Sequence, residues 1–99
     1  MYEIRFARDV ANDLKKLPAY HRRTVLDEIE NQLMNEPTTP TRNRKLLASL
    51  IPPWTAEQPV WELRVGDYLV FYDVSEEEPV VYVRAVRKKP HGRTTEEIL

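Results

Sequence analysis

A chain of 99 residues without cysteine excludes disulfide staples and thiolate metal sites, and its size suits one domain with one modest core. Its 15 Lys plus Arg against 16 Asp plus Glu give a formal charge of −1, unlike the strongly basic surface of a non-specific nucleic-acid binder. No apolar run is long enough to span a bilayer and the first ten residues hold no signal core, which predicts a cytoplasmic protein with no membrane role.

In "YEIRF", Tyr2, Ile4 and Phe6 alternate with Glu3 and Arg5, which predicts a half-buried strand. The period then lengthens. Ala7, Val10, Ala11, Leu14 and Leu17 recur every three to four residues, which predicts a helix over 7–17 that Pro18 stops. Val25, Leu26, Ile29 and Leu33 mark a second helix from about Tyr20 to Asn35, with Arg22, Arg23, Asp27, Glu28 and Glu30 on its wet side. Two helices this close in sequence form an antiparallel pair. "EPTTPTRNRK" is a Pro- and Thr-rich loop carrying Arg42, Arg44 and Lys45. After it, Leu46, Leu47, Leu50 and Ile51 have helical spacing for one turn before Pro52 and Pro53 forbid continuation.

"WELRVGDYLVFYDV" is a β-hairpin. Gly66-Asp67 is its two-residue loop, with Gly where a type II′ turn needs positive φ. That loop fixes the register. Val65 faces Tyr68, Arg64 faces Leu69, Leu63 faces Val70, Glu62 faces Phe71 and Trp61 faces Tyr72. Trp61, Leu63, Val65, Tyr68, Val70 and Tyr72 then share the face that the helices cover. Glu62, Arg64, Leu69 and Phe71 share the other, expected to be the outer face. Glu62 or Asp73 is the ordinary salt-bridge partner for Arg64 in this arrangement. "PVVYVRAV" is a third strand returning antiparallel, so its far end reaches the level of Tyr68. This brings Arg64 and the basic run Arg87, Lys88 and Lys89 to the same end of the sheet, while the face of Arg84 stays open. His21 and His91 are placed as surface histidines, and neither has metal-site spacing.

The order strand, helix, helix, basic loop, three-stranded meander and basic tail resembles the RelE/ParE superfamily of bacterial toxins. "ELRVGDYLVFYDV" is similar to that family's hairpin, "RAVRKKPHGR" to its closing strand and tail, and "RNRKLL" to its lead-in loop. The resemblance implies an α+β fold with an N-terminal strand and an antiparallel helix pair packed on a small antiparallel sheet ending in a β-meander. It also implies the toxin of a type II toxin–antitoxin pair. RelE-like members are metal- and cofactor-independent endoribonucleases that cut messenger RNA on the ribosome, where the RNA 2′-hydroxyl attacks the adjacent phosphate. The protein supplies a base, cations for the developing charge and a proton for the leaving oxygen. Carried onto this chain, the resemblance makes Arg64, Lys88, Lys89 and His91 candidate catalytic residues. Arg42, Arg44, Lys45, Arg87 and Arg93 become RNA-binding candidates. The implied partners are a cognate antitoxin, messenger RNA and, through the antitoxin alone, operator DNA. ParE-like members share the fold and poison DNA gyrase, and a catalytically weak member would act mainly in antitoxin-bound autoregulation. This chain departs from the family in having Leu69 where an Arg is usual, Glu62 where some ribonucleases have Lys, and no tail Tyr.

Overall fold

The structure is a computed structural model and describes residues 1–47, 53 and 59–89. Strand β1 (Glu3–Phe6) turns Ile4 and Phe6 toward the helices. Helix α1 (Val10–Lys15) is shorter than its 3.6-residue pattern predicts. Both ends tighten into i→i−3 turns: Val10 N–H donates to Ala7 O at 3.1 Å, and Leu17 N–H to Leu14 O at 3.1 Å. The apolar spacing therefore overruns the helix by a turn at its start and two residues at its end. Helix α2 (Ala19–Leu33) starts at Pro18, whose carbonyl accepts from Arg22 N–H at 2.9 Å. Arg22 does more than line the wet side. Its guanidinium donates to Leu14 O at 3.0 Å and Leu17 O at 3.1 Å, so it satisfies carbonyls orphaned at the end of α1.

The sheet continues with β2 (Arg44–Leu47), β3 (Val60–Val65), β4 (Tyr68–Ser75) and β5 (Val80–Lys88), in the order β1-β5-β4-β3-β2. It is mixed rather than wholly antiparallel, because β1 pairs parallel with β5. The helix pair carries the chain from the β1 edge to the β2 edge, and the meander then returns to β1. Strand β2 replaces the expected loop and helical turn at Arg44 to Leu47; Leu50 and Ile51 of that turn lie outside the described residues. Four residues with Arg44 and Lys45 among them make a short, charged edge strand, a form that discourages further pairing.

The hairpin register holds at all five expected pairs. Gly66 carries φ 56°, and no non-glycine among the described residues has positive φ, the pattern a type II′ turn needs. Trp61, Leu63, Val65, Tyr68, Val70 and Tyr72 pack with Val10, Val25, Ile29 and Leu33 into the main core. The opposite face is not the outer surface expected of it. Leu69 (2 % exposed) and Phe71 (0 %) join Leu47, Val60 and Ala85 in a second cluster. Two-sided burial explains why β4 reads as a nearly unbroken apolar run.

One extra residue in β5 resets its alternation. Phe71 faces Ala85 but Tyr72 faces Val83, so Arg84 is the bulge. Val81, Val83 and Val86 consequently all enter the main core despite their odd spacing. Arg84 turns onto the opposite face and grips Asp73 with two bonds of 2.6 and 3.2 Å, its guanidinium 4.7 Å from the Tyr82 ring centroid. Asp73 is therefore the partner of Arg84 and not of Arg64.

Because Leu63 is 1 % exposed at the centre of the main core, Leu63→Ala should destabilise the fold by about 2–5 kcal/mol in urea unfolding. A change under about 1 kcal/mol would mean that the site collapses around the lost methyls.

Candidate functional site

The hairpin turn and the end of β5 build two clefts, one on each sheet face. On the face opposite the helices, ladder pairing sets Lys45 beside Glu62 and Arg64 beside Leu69. The loop before β2 adds Arg42 and Asn43, anchored where Arg64 N–H donates to Asn43 O at 2.8 Å. Lys89 N–H donates to Asp67 O at 2.8 Å, which extends the β4–β5 ladder past its last residue. The result is a cleft of about 140 Å³ whose wall includes Arg42, Lys45, Glu62, Arg64 and Lys89 over Leu69. Arg64 is exposed and makes no ion pair with the described residues, whereas Glu62 is buried in the cleft wall. A second opening of about 530 Å³ continues from Arg42 and Arg64 toward Thr24 and Glu28 on α2.

The structure divides the sequence-predicted site residues. Arg42, Lys45, Arg64 and Lys89 converge in one cleft. Lys88 does not join them. It pairs with Tyr68, so its side chain lies on the helix-covered face. Neighbouring residues in a strand point to opposite faces, and a basic doublet there cannot serve one site.

Arg44 is also excluded, because it is 6 % exposed and points at the end of α2. Its guanidinium donates to Gln32 O at 2.9 Å and to Glu36 O, with the Glu36 carboxylate at 4.0 Å. A cation at a helix C-terminus satisfies orphaned carbonyls and the helix dipole together. Beside it, Tyr72 donates to Pro37 O at 2.6 Å, and burial raises its phenol pKa against a smaller lowering by Arg44.

Arg87 is engaged too. Strand β1 covers β5 only as far as Val83, which leaves the last part of that edge open. Asp13 closes it: one carboxylate oxygen accepts from Val86 N–H at 3.1 Å and from the Arg87 guanidinium at 2.7 Å. His91 and Arg93 lie outside the described residues. The sequence marked Glu62 as a departure and as an ordinary partner for Arg64; its ladder pairing with Lys45 sets it beside a cation on the face of the cleft. Among the described residues, no group of three His, Asp or Glu is placed to hold a metal.

A family model described as "ParE toxin of type II toxin-antitoxin system, parDE" matches residues 4–90. The chain belongs to this family, within the RelE/ParE superfamily of toxins. The toxin is similar to solved structures over nearly its whole length. One is the archaeal RelE–RelB complex from Pyrococcus horikoshii OT3, at 28 % identity over 94 % of this chain and 98 % of that one, with a TM-score of 0.69. Another is the toxin–antitoxin complex RelBE2 from Mycobacterium tuberculosis, at 26 % identity over 89 % and 98 %, with a TM-score of 0.67. The isolated E. coli RelE toxin shares the fold at 18 % identity over 98 % and 92 %, with a TM-score of 0.67. No curated protein matches the toxin significantly.

Proposed function

We propose that the toxin is a metal-independent endoribonuclease that cuts messenger RNA in the cytoplasm and so stops translation. The observation that carries this reading is that Arg42, Lys45, Arg64 and Lys89 line one cleft together with Glu62. The RNA 2′-hydroxyl attacks the neighbouring phosphorus, and Glu62 accepts its proton. The O2′–P bond forms as the P–O5′ bond breaks. Arg64 stabilises the charge that gathers on the phosphoryl oxygens, and Lys89 protonates the departing O5′. The products are a 2′,3′-cyclic phosphate and a 5′-hydroxyl. Arg42 and Lys45 hold flanking phosphates.

The partner is a cognate antitoxin, in keeping with the two relatives solved with theirs. An apolar groove of about 650 Å³ between β1 and α2, lined by Ile4, Phe6, Leu26, Ile29 and Met34, suits such a partner. Phe6 is left 47 % exposed there. Operator DNA would be reached through the antitoxin alone.

A gyrase-poisoning activity is the second reading. It is favoured by the family description and by Leu69, which puts an apolar side chain where the family usually has Arg, a loss that matters less to a toxin that clamps no phosphate. Purified toxin on messenger RNA, with and without ribosomes, separates the readings. The expected result is cleavage leaving cyclic phosphate ends, unchanged in excess EDTA. Cleavage that chelation abolishes and a divalent ion restores would overturn the metal-free mechanism. Intact RNA together with inhibited gyrase supercoiling would establish the second reading. Inactivity in both assays would leave a regulatory role with the antitoxin.

A further inference from the structure

The helix-side cleft at the same end of the sheet has no part in the mechanism above. Its volume is about 430 Å³, within the size range of small-molecule sites. Leu17 and Pro18, in the turn between the helices, form one apolar wall, with Val86 beside them. Tyr68 closes one side, held where its hydroxyl meets His21 Nδ1 at 2.8 Å, the two rings edge to face at 5.6 Å. Arg87 and Asp13 neutralise each other at its rim. Lys16 and Lys88 remain, both exposed, and neither makes an ion pair with the described residues. The cleft thus joins two cations that make no ion pair with the described residues to an apolar wall and an aromatic side chain. That combination fits a phosphate joined to a flat base better than a carboxylate alone.

We infer that this cleft is a nucleotide subsite, in which Lys16 and Lys88 hold a phosphate of the RNA next to the cleavage site. The inference rests on the ribonuclease reading and extends its substrate path around the sheet end. Lys88 and Lys89 are consecutive in an extended chain, about 3.3 Å apart along the strand, and reach opposite faces. An RNA strand leaving Lys89 therefore needs only to cross the hairpin turn to meet Lys88. Among the described residues, no atom lies within 4 Å of a Cβ built on Gly66, in the turn that such a strand would cross. An acidic peptide would use the lysines but leave Tyr68 and the apolar wall unused.

Two measurements test the subsite. In RNA cleavage, K16A/K88A should raise KM about tenfold. The slope of log affinity against log salt should become shallower by about 0.7, the value for one phosphate neutralised on a single strand. NMR of the His21 imidazole, assigned with a His21→Asn variant, reports occupancy without catalysis. Titration with adenosine 5′-monophosphate should shift it in the wild-type toxin and in Arg64→Ala, with saturation at lower concentration than inorganic phosphate. The shift should vanish in K16A/K88A. Equal response to inorganic phosphate, response only to an acidic peptide, or no response would overturn the subsite. Mononucleotide binding without any RNA cleavage would sustain the subsite and sink the ribonuclease reading instead.

Discussion

Replacing Arg64 by alanine should lower RNA cleavage about a hundredfold while urea unfolding shifts by less than about 1 kcal/mol. The two halves of that expectation have separate grounds. The side chain is exposed and makes no ion pair with the described residues, so the native state loses little when it is removed. The residue's anchor is main chain: its N–H donates to Asn43 O, and alanine keeps that bond. In the transition state the guanidinium faces charge gathering on the phosphoryl oxygens, and one well-aimed donor of this kind is worth about 3 kcal/mol. Of the two acids expected to make Arg64 a routine surface salt bridge, Asp73 is occupied by Arg84 at 2.6 Å, and Glu62 makes no ion pair with Arg64. Arg64→Lys should recover only part of the rate, because a point charge cannot offer the two-pronged contact of a guanidinium. A fully toxic Arg64→Ala variant would remove the main residue from the ribonuclease reading and favour the gyrase target.

How much of this could be read before the fold was seen depends on how locally each feature is encoded. The hairpin is encoded in two residues: Gly66-Asp67 sets the loop, the loop sets the register, and the register sorts every side chain of β3 and β4 to its face. The helices announce themselves by period, although the i→i−3 turns that trim α1 leave no mark in that period. Strand β2 and the parallel β1–β5 pair are tertiary facts. An edge strand of four residues has no pattern of its own, and it forms because β3 offers Lys45 and Leu46 a ladder. The site was legible to the extent that it depends on the hairpin, which supplies Arg64 and Glu62. It was illegible where long-range partners decide. Arg44 looks like any loop cation until the end of α2 is beside it. Arg87 looks free until Asp13, 74 positions away, closes the open edge of β5. The separation of Lys88 from Lys89 needed only strand alternation, and the signal was available in the sequence.

Leu69→Arg should destabilise the toxin by about 2–4 kcal/mol and should not raise cleavage. From the sequence alone the opposite follows, since Leu69 stands where the family's pattern has a cation and faces Arg64 across the ladder. Burial reverses the expectation. Leu69 is 2 % exposed and packs with Leu47, Val60, Phe71 and Ala85, so it is a core residue that also floors the cleft. An arginine there gives up the transfer free energy of the leucine side chain, and it overfills a packed cluster. Its charge must also either stay in an apolar surround or turn out into the cleft, where Arg64 already stands across the strand pair. Like charges directly opposite repel, so the second guanidinium would disturb the first. Leu69→Met, which nearly conserves volume, should cost less than about 1.5 kcal/mol and serves as the packing control. Urea unfolding of the two variants and cleavage rates at a temperature where both are folded decide the matter. If Leu69→Arg is as stable as wild type and cuts RNA faster, the second cluster yields readily and the cleft accepts another phosphate contact. If it is folded, weaker in stability and no faster, Leu69 belongs to the core of this toxin, and the phosphate is held by Arg64 and Lys89 without the cation usual in the family.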